Sequence, residues 1–261
     1  MRVTGKTCLV TGATGGIGGA IVHELQAHGA NVIALGRQVD ILNELSTKLA
    51  VKTITADLRQ PNEIARALHD AGHVDILVDV AGVQASGHLN TLTPASIDEA
   101  IAVNLRAPIA MATTLTATMQ QRGSGHIVFI GSIGALVSAA DTALYNATKF
   151  GLRGFALGLR QELYRSGVGV SIIEPGFIRD AGLFARSGVT LPRGFRTRSP
   201  HHVARAVLRS IERNRAETIV AAPETRLSIL LGSVAPELAA TLQRILGINL
   251  EVSPLNPPSS A

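Results

Sequence analysis

The turn that decides the fold reads Thr11-Gly12-Ala13-Thr14-Gly15-Gly16-Ile17-Gly18 and joins a short apolar run at 6–11 to a stretch of helical period at 16–28. Glycines at such a place permit a tight turn, let the main chain approach a ligand closely and allow the helix to pack on the strand. The helix N-terminus also offers unpaired N–H groups and a positive potential to phosphates. A glycine cluster alone would indicate only a turn, but strand, turn and helix in this order favour dinucleotide binding.

Short β-branched apolar runs alternate with longer stretches of helical period along most of the chain. We expect strands near 6–11, 31–36, 51–56, 74–79, 126–131, 168–174 and 217–221, and helices near 16–28, 39–49, 61–71, 94–119, 143–166 and 200–213. This alternation is typical of βαβ units with right-handed crossovers. The sequence therefore predicts an α/β fold, a doubly wound (Rossmann), mostly parallel seven-stranded sheet with helices on both faces, in a single domain.

The domain divides into three predicted parts. Residues 1–222 form the dinucleotide-binding catalytic part, with a substrate lid at about 177–198, and residues 251–261 form a flexible tail rich in Pro and Ser. Residues 223–250 form a C-terminal extension of two short amphipathic helices divided at Ala235-Pro236. The extension could close the core, form a subunit contact, cover the substrate or rest on a membrane, and we favour the first two.

Composition narrows the class of protein. The net charge is +5, but the chain has no tryptophan and only 3% aromatic residues, so we do not expect nucleic acid binding. The longest apolar stretches are interrupted before the ~20 residues that a membrane span needs. The single cysteine, Cys8, lies in an apolar run and fits a buried strand residue of a cytoplasmic protein. The eight histidines are scattered without the spacing of metal ligands, so we predict no metal.

The choice of nucleotide is predicted at the ends of the second and third strands. Gly36-Arg37 stands where an acidic residue would bind ribose hydroxyls and repel a 2′-phosphate. Arg37 can pair with that phosphate, so NADP(H) is favoured over NAD(H), although Arg37 could also be an ordinary surface arginine. Asp57 could accept a hydrogen bond from adenine or serve as a turn residue.

Tyr145 and Lys149 lie four residues apart in a segment of helical period, which places both side chains on one helix face. A free tyrosine titrates near ~10, and an adjacent cation stabilises the phenolate and lowers its pKa. The pair therefore predicts a tyrosine that acts as general acid or base.

Taken together, these residues resemble the short-chain dehydrogenase/reductase family over approximately residues 5–222. The resemblance rests on five motifs in order: Thr11-Gly12-x-x-x-Gly16-Ile17-Gly18, Asp57-Leu58, Val103-Asn104-Leu105, Tyr145-x-x-x-Lys149 with Ser132 thirteen residues before the tyrosine, and Pro175-Gly176. It implies a homodimer or homotetramer that transfers hydride between a nicotinamide and a ketone, aldehyde or secondary alcohol, and the apolar pocket residues given below favour a hydrophobic substrate.

The resemblance implies a catalytic tetrad of Asn104, Ser132, Tyr145 and Lys149. Tyr145 would exchange a proton with the substrate oxygen, Ser132 would orient that oxygen, Lys149 would bind the nicotinamide ribose, and Asn104 would hold a relay water. The implied cofactor contacts are Gly12, Thr14, Gly15, Gly16, Ile17, Gly18, Arg37, Asp57, Leu58, Ala81, Gly82, Asn104, Tyr145, Lys149, Pro175, Gly176 and Ile178.

Two positions depart from the family pattern. Asp79-Val80 replaces an Asn-Asn pair after the fourth strand and loses amides that would tie that strand end to its neighbours. Asp180 replaces a threonine that contacts the carboxamide. Its charge could favour the oxidised ring and alcohol oxidation, or it could simply pair with Arg179 or Arg186.

The substrate pocket is predicted between the segment after Gly82 and the lid. Its expected apolar lining is Ile133, Leu136, Val137, Phe177, Leu183 and Phe184, with Arg193, Arg196 or Arg198 near an anionic substrate end. The rival function is an NADP(H)-binding regulatory or sensor protein without turnover, which would have no need of the complete tetrad. A membrane-surface role for the extension is a lesser alternative.

Overall fold

A computed structural model describes residues 1–182, 185, 194, 196–235, 237, 238 and 241. Within them the chain forms a sheet of seven strands in the order β3-β2-β1-β4-β5-β6-β7. The strands are β1 Thr7–Val10, β2 Asn31–Gly36, β3 Lys52–Thr55, β4 Ile76–Asp79, β5 Gly125–Ile130, β6 Val168–Pro175 and β7 Glu217–Val220. Each predicted strand is confirmed to within about two residues at either end.

All six neighbouring strand pairs run parallel. The strand order reverses direction between β1 and β4. Cys8 of β1 pairs with Val32 of β2 on one side and with Ile76 of β4 on the other. Cys8 is fully buried, as predicted, and burial raises the pKa of its thiol to about 12. The doubly wound α/β fold is therefore confirmed, and its ligand crevice lies beyond the carboxyl ends of the strands.

The helices form one layer on each side of the sheet. They are α1 Gly16–Ala27, α2 Val39–Leu49, α3 Pro61–Ala71, α4 Pro94–Ile101, α5 Ala107–Gln121, α6 Ala143–Glu162, α7 Pro200–Arg213 and α8 Pro223–Val234. One core cluster packs α3, α5 and α6 on the sheet through residues such as Met111 and Leu152, and the other packs α1 and α7 through residues such as Ile21 and Val203. These two layers fix the crevice between them.

The predicted helix 94–119 contains a break in its hydrogen-bond pattern. Thr93 caps it, because its hydroxyl accepts from Ser96 N and Ser96 Oγ accepts from Thr93 N. A π-helical turn, Ala102–Arg106, then separates α4 from α5. Such turns are frequent at functional sites because they redirect side chains, and this one carries Asn104.

Among the described residues one helix, Pro94–Gln121, is long and apolar enough to cross a membrane. Its apolar run is interrupted by Arg106 and Pro108, as predicted from the sequence for the longest apolar stretches. Half of its apolar window is buried inside the protein, where Met111 and Met119 are fully enclosed. A core helix passes the same test of length and composition, so the observation is weak support for a membrane span.

The first predicted helix of the extension is present as α8. Its inner face carries the buried residues Thr225 and Ile229, while Leu227, Leu230 and Val234 are exposed on the outer face. Several predictions lie outside the described residues: Leu183, Phe184, Arg186 and Arg193 of the lid, most of the second extension helix, and the tail 251–261.

Candidate active site

A cleft of about 1190 Å³ opens at the carboxyl ends of the strands. Its lining includes every predicted cofactor residue except Asn104, together with Ser132. Because β1, β2 and β3 end on one side of the switch point and β5, β6 and β7 on the other, Arg37 and Asp57 lie at one end of the cleft. Ser132 and Gly176 lie at the other.

The glycine loop has no room for side chains. Gly12 has a φ of +60°, and a Cβ there would come within 2.8 Å of Ala81 N. A Cβ on Gly18 would overlap the carbonyl oxygen of Gly12, and one on Gly16 would lie 2.5 Å from the Ala181 Cβ. The loop therefore forms a bare main-chain cradle at the start of α1, as a bound diphosphate requires.

Thr11 joins the glycine loop to the strand end that departs from the family pattern. Its hydroxyl donates to Asp79 Oδ1 at 2.8 Å and accepts from Val80 N at 2.9 Å and Ala81 N at 3.0 Å. The prediction that this strand end loses its contacts with its neighbours was therefore wrong. The Asp79 carboxylate and the Thr11 hydroxyl make contacts in place of the missing amides. Burial raises the pKa of Asp79 to about 6, opposed by the Thr11 hydrogen bond and the charge of Lys149.

Gly36, Arg37 and Asp57 lie at the end of the cleft that is predicted to distinguish NADP(H) from NAD(H). A Cβ on Gly36 would lie 2.7 Å from Thr14 Cγ2, so an acidic side chain there would have to displace the Thr14 side chain. Arg37 is exposed and lines the cleft. Asp57 lines it too, but both its oxygens accept hydrogen bonds from Arg59, whose contact lowers the Asp57 pKa. Arg59, missed by sequence reasoning, offsets the negative charge beside Arg37.

Tyr145 and Lys149 lie on one face of α6, as their spacing predicts. Lys149 Nζ is 5.9 Å from the centre of the Tyr145 ring and donates to Ile130 O at 3.0 Å. Burial raises the pKa of Tyr145 to about 12, assisted by the charge of Glu174 and opposed by a hydrogen bond with Ser132. This direction is opposite to the predicted one, because loss of hydration outweighs the help that Lys149 was expected to give.

Lys149 is itself buried, and burial lowers its pKa. Two carboxylates oppose that shift, Asp79 from β4 and Glu174 from β6. The ammonium group therefore donates to the Ile130 carbonyl at the end of β5 and is favoured by carboxylates from β4 and β6, the strands on either side of β5.

Glu174 is a site residue that sequence reasoning missed. It is fully buried, and its Oε2 accepts a hydrogen bond from the backbone N–H of Ser132. Burial raises its pKa to about 8, the Ser132 contact and Lys149 acting against that rise. The available signal was a single acid inside the apolar strand Val168–Pro175, since buried carboxylates are rare unless they are bonded.

Asn104 lies behind the cleft rather than in its lining. Its Oδ1 accepts from Val83 N at 2.8 Å, and its Nδ2 donates to Val83 O at 3.0 Å and to Thr148 Oγ1 at 3.4 Å. The side chain thus clamps the segment after β4 against α6. It is still near Lys149, since a Cβ on Gly82 would lie 3.4 Å from Asn104 Oδ1 and 3.9 Å from Lys149 Nζ.

The substrate end of the cleft is more polar than predicted. Ile133, Val137 and Phe177 line it as expected, but Leu136 does not. Additional lining residues are Gln84, Ser86, Ser138, Thr142, Asn146, Ala185, Thr225, Ser228 and Ile229. Among the described residues, no group of three His, Cys, Asp or Glu side chains could hold a metal ion.

The charged residues of the lid region pair with one another. Asp180, which has a φ of +64°, lies 3.3 Å from Arg179 Nε and also lines the cleft, so the predicted pairing with Arg179 is observed and its effect on the nicotinamide stays a prediction. Arg196 forms an ion pair with Glu224 at the start of α8, in which Nη2 donates to Oε2 at 3.1 Å. Both Arg196 and Arg198 are absent from the part of the cleft lining that the structure describes, which removes them from the predicted anionic subsite.

Residues 6–187 match the family described as short chain dehydrogenase, which is more than half of the chain. The chain belongs to the short-chain dehydrogenase family. The resemblance inferred from the motifs is therefore confirmed, and the protein is an NAD(P)-dependent oxidoreductase that acts on a small molecule.

Relatives within the short-chain dehydrogenases include reductases of carbonyl compounds. The chain is 30% identical over 262 residues to a ketoacyl reductase of Nostoc sp., covering 94% of this chain and 91% of that protein. Its fold is similar to a bulky-bulky ketone specific alcohol dehydrogenase from Comamonas testosteroni, with a TM-score of 0.75, 26% identity and coverage of 98% and 97%. A short-chain dehydrogenase from Sphingobium yanoikuyae in complex with NADPH gives a TM-score of 0.76, 25% identity and coverage of 98% of both chains.

Proposed function

We propose that the protein is an NADP(H)-dependent oxidoreductase that interconverts a largely hydrophobic ketone or aldehyde and its alcohol, with Tyr145 as general acid and base. The observation that carries the proposal is the single cleft that joins the glycine loop and Arg37 at one end to Ser132, Tyr145 and Lys149 at the other. The similar structures that act on bulky ketones or contain NADPH support it.

The cleft fits a diphosphate-bearing nucleotide because a Cβ at Gly12, Gly18 or Gly36 would collide with the loop or with Thr14. When bound, NADPH supplies the hydride for carbonyl reduction. Loop N–H groups and the α1 N-terminus would hold the diphosphate, and Arg37 would pair with the 2′-phosphate. Asp57 does not oppose that phosphate strongly, since Arg59 neutralises it.

Tyr145 is suited to donate a proton. With a pKa of about 12 it is a neutral phenol at physiological pH, so it can hydrogen-bond a carbonyl oxygen and protonate the developing alkoxide. Ser132 would hold the same oxygen, and the nearby ammonium of Lys149 would stabilise the tyrosinate that remains. In the reverse direction Tyr145 would accept the alcohol proton.

The lining of the substrate end supports a ketone with apolar bulk. Ile133, Val137, Phe177 and Ile229 provide apolar surface near Ser132, while the hydroxyl-bearing residues around them would accommodate a substrate with further oxygen atoms. Asp180 lines the same cleft and pairs with Arg179, which offsets part of the charge that would favour the oxidised ring.

The test is NADPH oxidation in the presence of a panel of aryl and alkyl ketones, followed by nicotinamide absorbance. Tyr145→Phe should lower turnover by roughly 10²- to 10⁴-fold, the usual contribution of a general acid, and should leave NADPH affinity within a few-fold of wild type. Tyr164→Phe is the matched control, because Tyr164 is the chain's other tyrosine and is 72% exposed. Nucleotide binding without turnover of any carbonyl compound or alcohol would favour the sensor function instead.

A further inference from the structure

Glu174 is a fully buried acid that contacts the main chain of a proposed catalytic residue. Its Oε2 accepts from the N–H of Ser132, and within the described part of the chain its Oε1 has no hydrogen-bond partner. Gly131 makes this position possible, since a Cβ there would overlap the Glu174 carboxyl group. Burying an ionisable group with one unsatisfied oxygen costs free energy, so a carboxyl group in this position beside the reacting groups suggests a function.

Charged groups face Glu174 from two neighbouring elements. From α6 come Lys149, Arg153 and the hydroxyl of Tyr145, and from β7 comes Glu217. Arg153 is already held by Glu217, with Nε to Oε1 at 2.6 Å and Nη2 to Oε2 at 3.1 Å. The charge of Glu174 also acts to raise the pKa values of Lys149 and Tyr145.

Asp79 provides an internal comparison. It is a second buried carboxylate near Lys149, but its oxygen bonds Thr11, it does not contact Ser132, and it is not a cause of the Tyr145 shift. The two acids therefore share an influence on Lys149, and only Glu174 acts on Ser132 and Tyr145 as well.

We propose that Glu174 is a positioning residue of the hydride-transfer site, which fixes the main chain at Ser132 and, in its ionised form at alkaline pH, opposes ionisation of Tyr145. This rests on the proposed function, because it assigns Tyr145 the part of proton donor. The hydrogen bond sets where the Ser132 hydroxyl lies, and the charge disfavours a second anion on the phenol.

The charge is tested without substrate or nucleotide. The chain has two tyrosines and no tryptophan, so in a Tyr164→Phe background tyrosinate absorbance reports Tyr145 alone. Glu174→Gln keeps an acceptor for Ser132 N and removes the charge. We expect it to move the Tyr145 titration down by roughly one unit, the low end for a neighbouring charge, with circular dichroism confirming that the protein stays folded. Asp79→Asn should move it by much less, and an equal shift in both variants, or none in Glu174→Gln, would overturn the electrostatic part.

The hydrogen bond is tested by turnover. In ketone reduction, Glu174→Gln should lose activity at a lower alkaline pH than wild type, because its Tyr145 ionises at a lower pH. Glu174→Met lacks the acceptor and should reduce kcat roughly 10-fold or more with little change in the KM for NADPH, because a misplaced orienting group acts on the reacting oxygen. Equal kcat in Glu174→Met and Glu174→Gln would overturn the positioning role. If wild type reduces no carbonyl compound while Glu174→Gln still shifts the tyrosinate titration, the proposed function fails and the coupling of Glu174 to Tyr145 stands.

Discussion

Replacing Gly18 by alanine should disrupt the cradle from within. A Cβ at this position would overlap the carbonyl oxygen of Gly12 and come within 2.8 Å of the Gly12 carbonyl carbon and 2.9 Å of the Ala13 Cα. All three are main-chain atoms of the tight turn, so no side chain can rotate away to relieve the clash. Overpacking of this kind costs typically ~1–3 kcal/mol, and we expect a loss of about 3 kcal/mol, the upper end of that range.

The neighbouring helix residue gives a matched control. A Cβ on Gly19 would lie 3.6 Å from Ala13 O, an ordinary van der Waals distance. Gly19→Ala should therefore stabilise the protein by roughly 0.5–1 kcal/mol, the usual gain from replacing glycine within a helix. Urea denaturation followed by circular dichroism measures both variants, and NADPH titration should show that only Gly18→Ala loses affinity. A Gly18→Ala protein as stable as Gly19→Ala, with unchanged NADPH affinity, would refute the account of the loop.

Three further predictions concern buried or half-buried polar groups. The Asp79 pKa is raised from 3.8 to about 6, so wild type should lose stability as pH rises through that interval. Asp79→Asn should remove this loss and be more stable at pH ~7 by up to about 3 kcal/mol, with little difference near pH ~4, in urea titrations at both values. Thr225 Oγ1 is buried and has no partner among the described residues. Thr225→Val should raise the unfolding free energy by about 1 kcal/mol, seen as a higher Tm. Arg153→Lys should lose the forked contact with Glu217 and about 1 kcal/mol of stability, because an ammonium group cannot make both bonds.

Each of these predictions has an outcome that contradicts it. A pH-independent difference between Asp79→Asn and wild type would show that the carboxyl group is ionised equally in both states of folding. A lower Tm for Thr225→Val would show that the hydroxyl is bonded, because valine has nearly the same shape as threonine. If Arg153→Lys is as stable as wild type, the two-bond contact of arginine joins α6 to β7 no more strongly than a single lysine ammonium group does.

Elements governed by local pattern were predicted well from the sequence. The glycine turn, the alternation of strands and helices, and the Tyr145 and Lys149 spacing each depend on residues close together in the chain. Their arrangement in the sheet followed from general rules of parallel crossovers. The ordered set of motifs then placed the cofactor and substrate ends of the same cleft.

The features that the sequence did not show depend on contacts between strands that are adjacent in the sheet but far apart along the chain. The bond from Thr11 to Asp79 joins β1 to β4, and the bond from Ser132 to Glu174 joins β5 to β6, so neither has a signature in local spacing. The direction of the Tyr145 pKa shift was mispredicted for the same reason, because burial is a property of the assembled layers. The π-helical turn that carries Asn104 was also invisible in a continuous helical pattern.

The most direct test of the central claim is a calorimetric titration of the protein with NADPH and NADH, in wild type and Arg37→Ala. Wild type should bind NADPH more tightly than NADH by roughly 10-fold or more, as a charge-assisted pair with the 2′-phosphate would provide. Arg37→Ala should lose that preference and keep its affinity for NADH, because the glycine loop is untouched. Equal affinity for both nucleotides in wild type would contradict the NADP(H) assignment, and failure to bind either would contradict the proposed enzyme itself.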